Sequence, residues 1–177
     1  MRPRVKRIRT HLLPLAAIAG CVALVAAAPA SAATFQVGDV QSAPVSSGPC
    51  FDPNAIASYA MAGGLVGCWY TDTLVTHAAQ LYGTPSGTVQ ATGTEHFVGC
   101  LDLDNDGACS AGDPSGTLQF SYQFSGKFDT ITGAEIHGRC QHPITSGTGD
   151  FANASGVINF KDDVTNGTSL YTGHVAL

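Results

Sequence analysis

The feature that most constrains the fold is a strict alternation of apolar and polar residues over 118–125. Large apolar residues occupy the even positions, and Gln or Ser occupies every odd position: the apolar residues are Leu118, Phe120, Tyr122 and Phe124. Successive side chains of a strand point to opposite faces, so this pattern is typical of a strand with one buried face and one wet face. The segment therefore predicts a β-strand that covers a core.

The rest of the chain repeats this signal. Further period-two segments lie at 65–75, 88–101, 134–142, 156–162 and 169–177, separated by Gly, Asp and Asn at turn spacing. Helical periodicity is nearly absent, and residues 54–61 are the only short helix candidate. Twenty of the 21 glycines follow residue 32, which suits the tight turns and strand bends that close a sheet into a barrel. We predict an all-β, antiparallel domain.

The first 33 residues carry an export signature. A basic head is followed by an apolar stretch at 12–28 and by the small residues Ala30-Ser31-Ala32-Ala33, which predict cleavage after Ala32. A membrane anchor is one alternative. Another is a lipid on Cys21, because residues 18–21 resemble a bacterial lipobox. The expected organisation is a signal peptide at 1–32, an extended N-terminal segment at 33–57 and a β-barrel domain at 58–177, secreted from the cell.

Charge excludes two classes of partner for the chain after residue 32. Three basic residues, Lys127, Arg139 and Lys161, face thirteen acidic residues, a net charge of −10. No basic patch is available to displace the counterions of nucleic acid or to bind anionic lipid. No uninterrupted apolar run of 18 residues follows residue 33, so no membrane association is expected after cleavage. The sequence does not indicate an oligomeric state.

Five cysteines remain after cleavage, and export favours their oxidation. Two disulfides and one free thiol can be chosen from five cysteines in fifteen ways. We favour Cys100 with Cys109, which bracket an acidic turn, and Cys50 with Cys68, which tie the N-terminal segment to the first strong strand. Cys140 would then be free and buried as an inert apolar residue.

Residues 147–156 read Gly-Thr-Gly-Asp-Phe-Ala-Asn-Ala-Ser-Gly and precede a strand at 157–161. This turn and strand resemble the G-T-G-x-F-x-x-A-x-G motif of the allene oxide cyclase and dirigent superfamily. The resemblance covers residues 115–177 and, by strand pattern only, residues 64–101. It implies an eight-stranded antiparallel closed barrel in which glycines form a tight corner, Phe151 plugs one end and Ala154 lets a strand pass closely. A glycine-rich hairpin in another β-sandwich is the alternative. The motif assigns no catalytic residue.

Residues 102–113 contain the sharpest chemical motif. Glycine takes position 6, and Asp takes positions 1, 3, 5 and 12: Asp102, Asp104, Asp106 and Asp113. This is the ligand spacing of an EF-hand-type calcium loop, in which the position-7 carbonyl, here that of Ala108, also faces the ion. Because strands flank it and position 12 is not Glu, we predict a calcium-binding hairpin loop. A solvated acidic turn without metal is the alternative.

Two side chains, Glu95 and His137, are weak candidates for catalysis. Glu95 interrupts the apolar face of its strand, and buried carboxylates are a feature of active sites. A bulge or a kink at Gly93 would instead turn it outward, or Arg139 would pair with it. His137 shares one strand face with Glu135, Arg139 and Gln141. This row is a wet exterior stripe if the opposite face is the core, whereas in a polar lumen His137 would be an acid or base beside Glu135.

Two functions fit these observations. The first is a secreted, non-catalytic β-barrel that binds a small lipophilic molecule or has an extracellular structural role, stiffened by calcium and disulfides. The alternative is a cyclase or stereochemical guide of the allene oxide cyclase and dirigent type, which leaves enzyme activity open. A wide lumen containing Glu95 or His137 would favour the guide, and a solidly packed lumen would favour the first.

The export signature makes a direct prediction. We expect a mature chain that begins at Ala33 or Thr34 and is found outside the cytoplasm. N-terminal sequencing of protein recovered from the culture medium measures this start. Recovery of an intact chain beginning with Met1 from the membrane fraction would contradict the prediction.

Overall fold

The computed structural model of the chain describes residues 32–76 and 87–177. The predicted signal peptide, apart from Ala32, lies outside the described residues. The strands are β1 (Thr34–Gln41), β2 (Ala57–Met61), β3 (Leu65–Thr76), β4 (Thr88–Leu101), β5 (Ser115–Phe128), β6 (Glu135–Gly147), β7 (Ser155–Asp163) and β8 (Thr168–Ala176). A single 3₁₀ turn, Gly149–Phe151, is the one helical element in the described part. The all-β prediction is confirmed.

The strands form a closed antiparallel barrel in sequence order. β1 closes it by pairing with β8, from Thr34 opposite Ala176 to Gln41 opposite Ser169. The Tyr171 side chain on β8 adds a tie across the interior: its hydroxyl donates to the Ala62 carbonyl (2.6 Å) and accepts from the Leu65 amide (2.9 Å). The predicted eight-stranded closed barrel is confirmed. Within the described ranges, no helix has the length and apolar character needed to cross a bilayer.

The barrel starts earlier than the sequence indicated. Residues 34–41, expected in an extended segment outside the barrel, form its first strand, and the predicted boundary at residue 58 is too late. The helix candidate at 54–61 is also wrong, because its second half is strand β2, paired with β3. Both segments lack clear alternation, and the pairing partners β8 and β3 impose the strand conformation on them.

One end of the barrel is packed solid. Its fully buried side chains come from five strands and the 3₁₀ turn: Leu65, Phe97, Leu101, Leu118, Phe151, Ile158 and Val175. Phe151 lies in this core, as predicted for a plug. The turn that carries it is fixed to β5, because the Thr148 amide donates to the Thr117 carbonyl and the Ser115 amide donates to Asp150. An eight-stranded barrel is just wide enough for side chains to fill it in this way.

Both predicted disulfides are present. Cys50 is joined to Cys68, and Cys100 is joined to Cys109. The first links the β1–β2 connection to β3, and the second closes the connection between β4 and β5. Cys140 is the free cysteine of the described residues, as predicted, and is partly buried against the core.

Removal of the plug tests the role of the solid end. Phe151→Ala should lower the free energy of unfolding by about 3–5 kcal/mol, because a fully buried ring is lost and a cavity remains. Phe51→Ala is a matched control at a 43% exposed ring, and it should change stability by less than about 1 kcal/mol. Urea unfolding measures both. Equal losses in the two variants would show that Phe151 does not support the core.

Candidate functional site

The interior at the opposite end of the barrel holds a cavity of about 480 Å³. Its walls are mostly apolar and include Val89, Ala91, Phe124, Phe128 and Phe160. Polar side chains also line it: Tyr59, Thr71, Glu95, Tyr122, Glu135, His142 and Asp162. Exposed Ile56 and Val164 are among the lining residues, so the cavity reaches the protein surface. Its volume lies in the range of about 300–1,000 Å³ that is typical of small-molecule sites.

Glu95 lies on the inner face of β4 and is buried. Its Oε1 accepts from the Thr71 hydroxyl at 2.8 Å, and its Oε2 accepts from the Trp69 indole N–H at 2.6 Å. Oε2 also lies 2.9 Å from His142 Nε2. The bulge between Thr71 and Thr73 and the nearby Gly93 do not turn Glu95 outward. Its partner is His142 rather than Arg139, whose side chain is exposed.

His142 is buried on the inner face of β6, where aromatic rings surround it. Its ring stacks on Tyr122 at 5.5 Å and meets Trp69 and Phe160 edge-on at 5.3 and 4.7 Å. Nδ1 lies 3.3 Å from the Ile158 carbonyl, which only accepts, so Nδ1 donates. One further proton then lies between Nε2 and the Glu95 carboxyl group. Contacts at both ring nitrogens therefore fix the orientation of the His142 imidazole.

The position of His142 along its strand is the sequence signal that could have identified it. His142 has the same parity as Gly138 and Cys140, which lie on the inward face of β6. A histidine on an apolar strand face needs a polar partner inside, and Glu95 was the interior carboxylate already singled out. The pairing itself joins residues on β4 and β6, which period-two analysis of single strands does not relate.

Tyr122 provides a hydroxyl donor beside this pair. Burial, followed by the nearby Glu95 carboxylate, raises the pKa of the Tyr122 phenol. The phenol therefore stays protonated at neutral pH. Cys140 is also inert, because burial and then the charges of Asp162, Glu95 and Glu135 raise the pKa of its thiol.

A second group of acids, Glu135 and Asp162, meets nearer the mouth of the cavity, and we call it the carboxyl pair. Burial is the main cause that raises the pKa of Glu135 to about 7, and a hydrogen bond with Asp162 and its charge add to it. Glu135 Oε1 is buried without a hydrogen-bond partner among the described residues. Asp162 Oδ1 accepts from the Ser169 hydroxyl at 2.8 Å.

The predicted row on β6 is split between the two faces. His137, Arg139 and Gln141 are exposed, which confirms the exterior stripe for these three and makes the interior role of His137 wrong. Glu135 instead lines the cavity. Lys127 pairs with His137, but the next residue, Phe128, pairs with Glu135, so β6 has one extra residue at this point. This bulge turns the Glu135 side chain to the opposite face of the strand from His137.

The acidic loop at 102–113 brings together part of the predicted ligand set. Carboxylate oxygens of Asp102, Asp104 and Asp106 lie within 4.8 Å of one another. Positive φ angles at Asn105 (59°) and Gly107 (79°) coil the backbone around them. Asp102 accepts from the Asp106 and Gly107 amides.

The fourth predicted carboxylate of this loop, Asp113, lies outside that group. Asp113 accepts from the amides of Leu103 and Ser110, and these bonds, Ser110 first, lower the pKa of the Asp113 carboxyl. The Ala108 amide donates to Asp106 at 2.8 Å. Burial, a hydrogen bond with Asp102 and the charge of Asp106 raise the pKa of Asp104.

Comparison with models of known protein families and with curated proteins gives no match for this chain. The candidate site therefore rests on its own geometry. A cavity with apolar walls, a fixed Glu95–His142 pair and a phenol donor has the features of a ligand site that orients one polar end of a molecule.

The carboxyl pair predicts a pH dependence of stability. Glu135 ionises near its ordinary pKa of 4.5 in the unfolded chain but near 7 in the barrel. The folded protein retains a proton over this window, so the stability that this group contributes at low pH is lost as the pH rises through 7. Glu135→Gln should therefore raise the melting temperature at pH 8 relative to the wild type, and by less at pH 4.

Asp129→Asn is the control, because backbone amides of Thr132 and Ile131 lower the pKa of Asp129. Asp129→Asn should lower the melting temperature more at pH 8 than at pH 3. This change is opposite in sign to the one expected for Glu135→Gln. Melting curves across pH measure both variants. An effect of Glu135→Gln that does not change with pH would show that the carboxyl pair is not buried as described.

Proposed function

We propose that this barrel is a secreted binding protein for a small, largely apolar molecule, held in the cavity at the open end of the barrel. The observation that carries the proposal is the cavity itself, whose aromatic and aliphatic walls surround a few fixed polar groups. A purely structural barrel has no need of such a space, because interiors are otherwise filled to crystal-like density. The two disulfides support export to an oxidising compartment.

The polar groups favour binding over catalysis. Glu95 already accepts from Trp69 and Thr71 and contacts His142, so both of its oxygens are engaged within the protein. Such a group fixes the shape of the cavity floor rather than reacting with a ligand. Tyr122 adds a protonated hydroxyl that suits a ligand oxygen.

Binding to the cavity is tested by a pair of variants on β4. Ala91 is buried and lines the cavity, whereas Gln90 beside it is exposed. Titration of the neutral dye Nile red should give enhanced fluorescence with the wild type and with Gln90→Leu. Ala91→Leu should weaken binding by about tenfold or more, because its added carbons occupy the site. Equal affinity in the two variants, with both folded by melting curves, would place the dye elsewhere.

The calcium role of the acidic loop is part of the same proposal. Asp102, Asp104 and Asp106 offer hard oxygen ligands of the kind that calcium takes. An ion there would relieve the repulsion among these carboxylates and stiffen the β4–β5 connection that Cys100–Cys109 also closes.

Melting with calcium and with a chelator tests this role. At ten times the dissociation constant, a site absent from the unfolded chain adds about 1.4 kcal/mol to stability. The wild type and the exposed-carboxylate control Asp150→Asn should melt a few degrees higher with calcium, and the double variant Asp104→Asn with Asp106→Asn should not. Equal wild-type midpoints in both buffers would leave the loop as a solvated turn without metal.

A second candidate function is a cyclase or stereochemical guide of the allene oxide cyclase and dirigent type. The placement of Glu95 and Tyr122 at the cavity floor favours it, because a reactive intermediate would meet a carboxylate and a phenol there. An allene oxide generated in the presence of the protein should then yield one enantiomer in excess, with the excess lost in Glu95→Gln. A racemic product with the wild type would reject this function.

A further inference from the structure

The mouth of the cavity has an unusual chemical composition. Asp162, Glu135 and the ring of Phe124 converge over the α-carbon of Gly138, and a Cβ at that position would collide with all three. Gly126 plays the same role on β5, since a Cβ there would meet the rings of Phe124 and Phe128. These two rings lie 6.3 Å apart in an edge-on arrangement. Two carboxyl groups and two aromatic rings thus share one patch of cavity wall.

This patch is rich in acceptor oxygens, which belong to two neighbouring carboxyl groups. Glu135 Oε1 is buried without a partner among the described residues, whereas Asp162 Oδ1 is satisfied by Ser169. The two carboxyl groups share a hydrogen bond while Glu135 is protonated. When both are ionised, a cationic donor from a ligand would relieve the repulsion between them. The ligand end that reaches this patch therefore carries an N–H or O–H group.

Charge restricts the ligand further. The described residues that line the cavity include Glu95, Glu135, Asp162 and Asp163 but no Lys or Arg. Residues 77–86, outside the described ranges, contain no Lys or Arg in their sequence either. Among the described lining residues, His142 is the one with a basic side chain, and it is engaged with Glu95. A carboxylate or phosphate on a ligand would thus meet repulsion from these acids, and no Lys or Arg among the described lining residues would offset it.

We propose that the ligand is a protonated primary or secondary amine on an apolar body. Its ammonium group binds at the carboxyl pair, donates to the carboxylate oxygens that line the cavity and contacts the faces of Phe124 and Phe128. The apolar body lies deeper, along Phe160 and Ala91. Carboxylates and aromatic rings both attract ammonium groups, and the N–H donors distinguish this ligand from a quaternary ammonium. This inference rests on the proposed binding function and specifies its ligand class.

The test compares three probes with one apolar body: octylamine, 1-octanol and octanoate, by calorimetry at pH 8. At this pH octylamine is a cation and octanoate an anion. Octylamine should bind at least about tenfold more tightly than 1-octanol, because a charge-assisted hydrogen bond to a buried carboxylate is added, and octanoate should bind more weakly than both.

Variants assign the preference to the carboxyl pair. Glu135→Gln should reduce the advantage of octylamine over 1-octanol to less than about threefold. Asp72→Asn removes an equal charge on the outer face of β3 and should retain the full advantage. Melting curves confirm that each variant is folded.

The outcomes separate this inference from the function on which it rests. Equal binding of octylamine and 1-octanol to the wild type, or an advantage that persists in Glu135→Gln, would overturn the amine preference while retaining the binding function. Tighter binding of octanoate would also overturn it. Absence of binding by all three probes would overturn the amine ligand and count against the cavity as a binding site.

Discussion

A carboxylate inside an eight-stranded barrel is the constraint around which this interior is arranged. Glu95 is removed from water, and the protein compensates with two donors from β3, Trp69 and Thr71, and with His142 from β6. A buried charge without such partners would be strongly destabilising. The hydrogen bonds also orient the indole and imidazole rings, which form much of the interior at mid-height. The group therefore links strands that are not neighbours in the barrel wall.

This polar layer divides the interior into two parts with different roles. Below it, Phe151 and large aliphatic side chains fill the barrel completely. Above it, Ala91 and the glycines at 126 and 138 leave space that Phe124, Phe128 and the carboxyl pair only partly occupy. The fold supplies rigidity at one end and a concave site at the other. The same barrel thus combines a packed core with an accessible cavity.

The sequence predicted most of the wall and little of the interior chemistry. Alternation identified strands β3 to β8 because each of them has one buried face, and the cysteine positions identified both disulfides. β1 and β2 were missed because their strand conformation depends on pairing with β8 and β3 rather than on their own pattern. Glu95 was found because it breaks an apolar row.

The remaining site residues depended on relations between strands. His142 pairs with Glu95 across the barrel, and a single extra residue at a bulge brings Glu135 inside while His137 stays outside. A strand pattern has a period of two, so one bulge reverses every inference beyond it. Three Asp residues of the acidic loop converge because they are close in sequence, whereas Asp113 is held by backbone amides instead.

The buried hydrogen bond between Trp69 and Glu95 offers the most direct test of this account. Trp69 is the only tryptophan in the chain, so its indole N–H gives one resolved proton–nitrogen NMR signal. After transfer to deuterated water, this signal should persist for as long as the amide signal of Leu65. The Leu65 amide is hydrogen-bonded to the Tyr171 hydroxyl inside the barrel. Loss of the indole signal at the rate of a free indole would contradict a buried Glu95 layer and the cavity built on it.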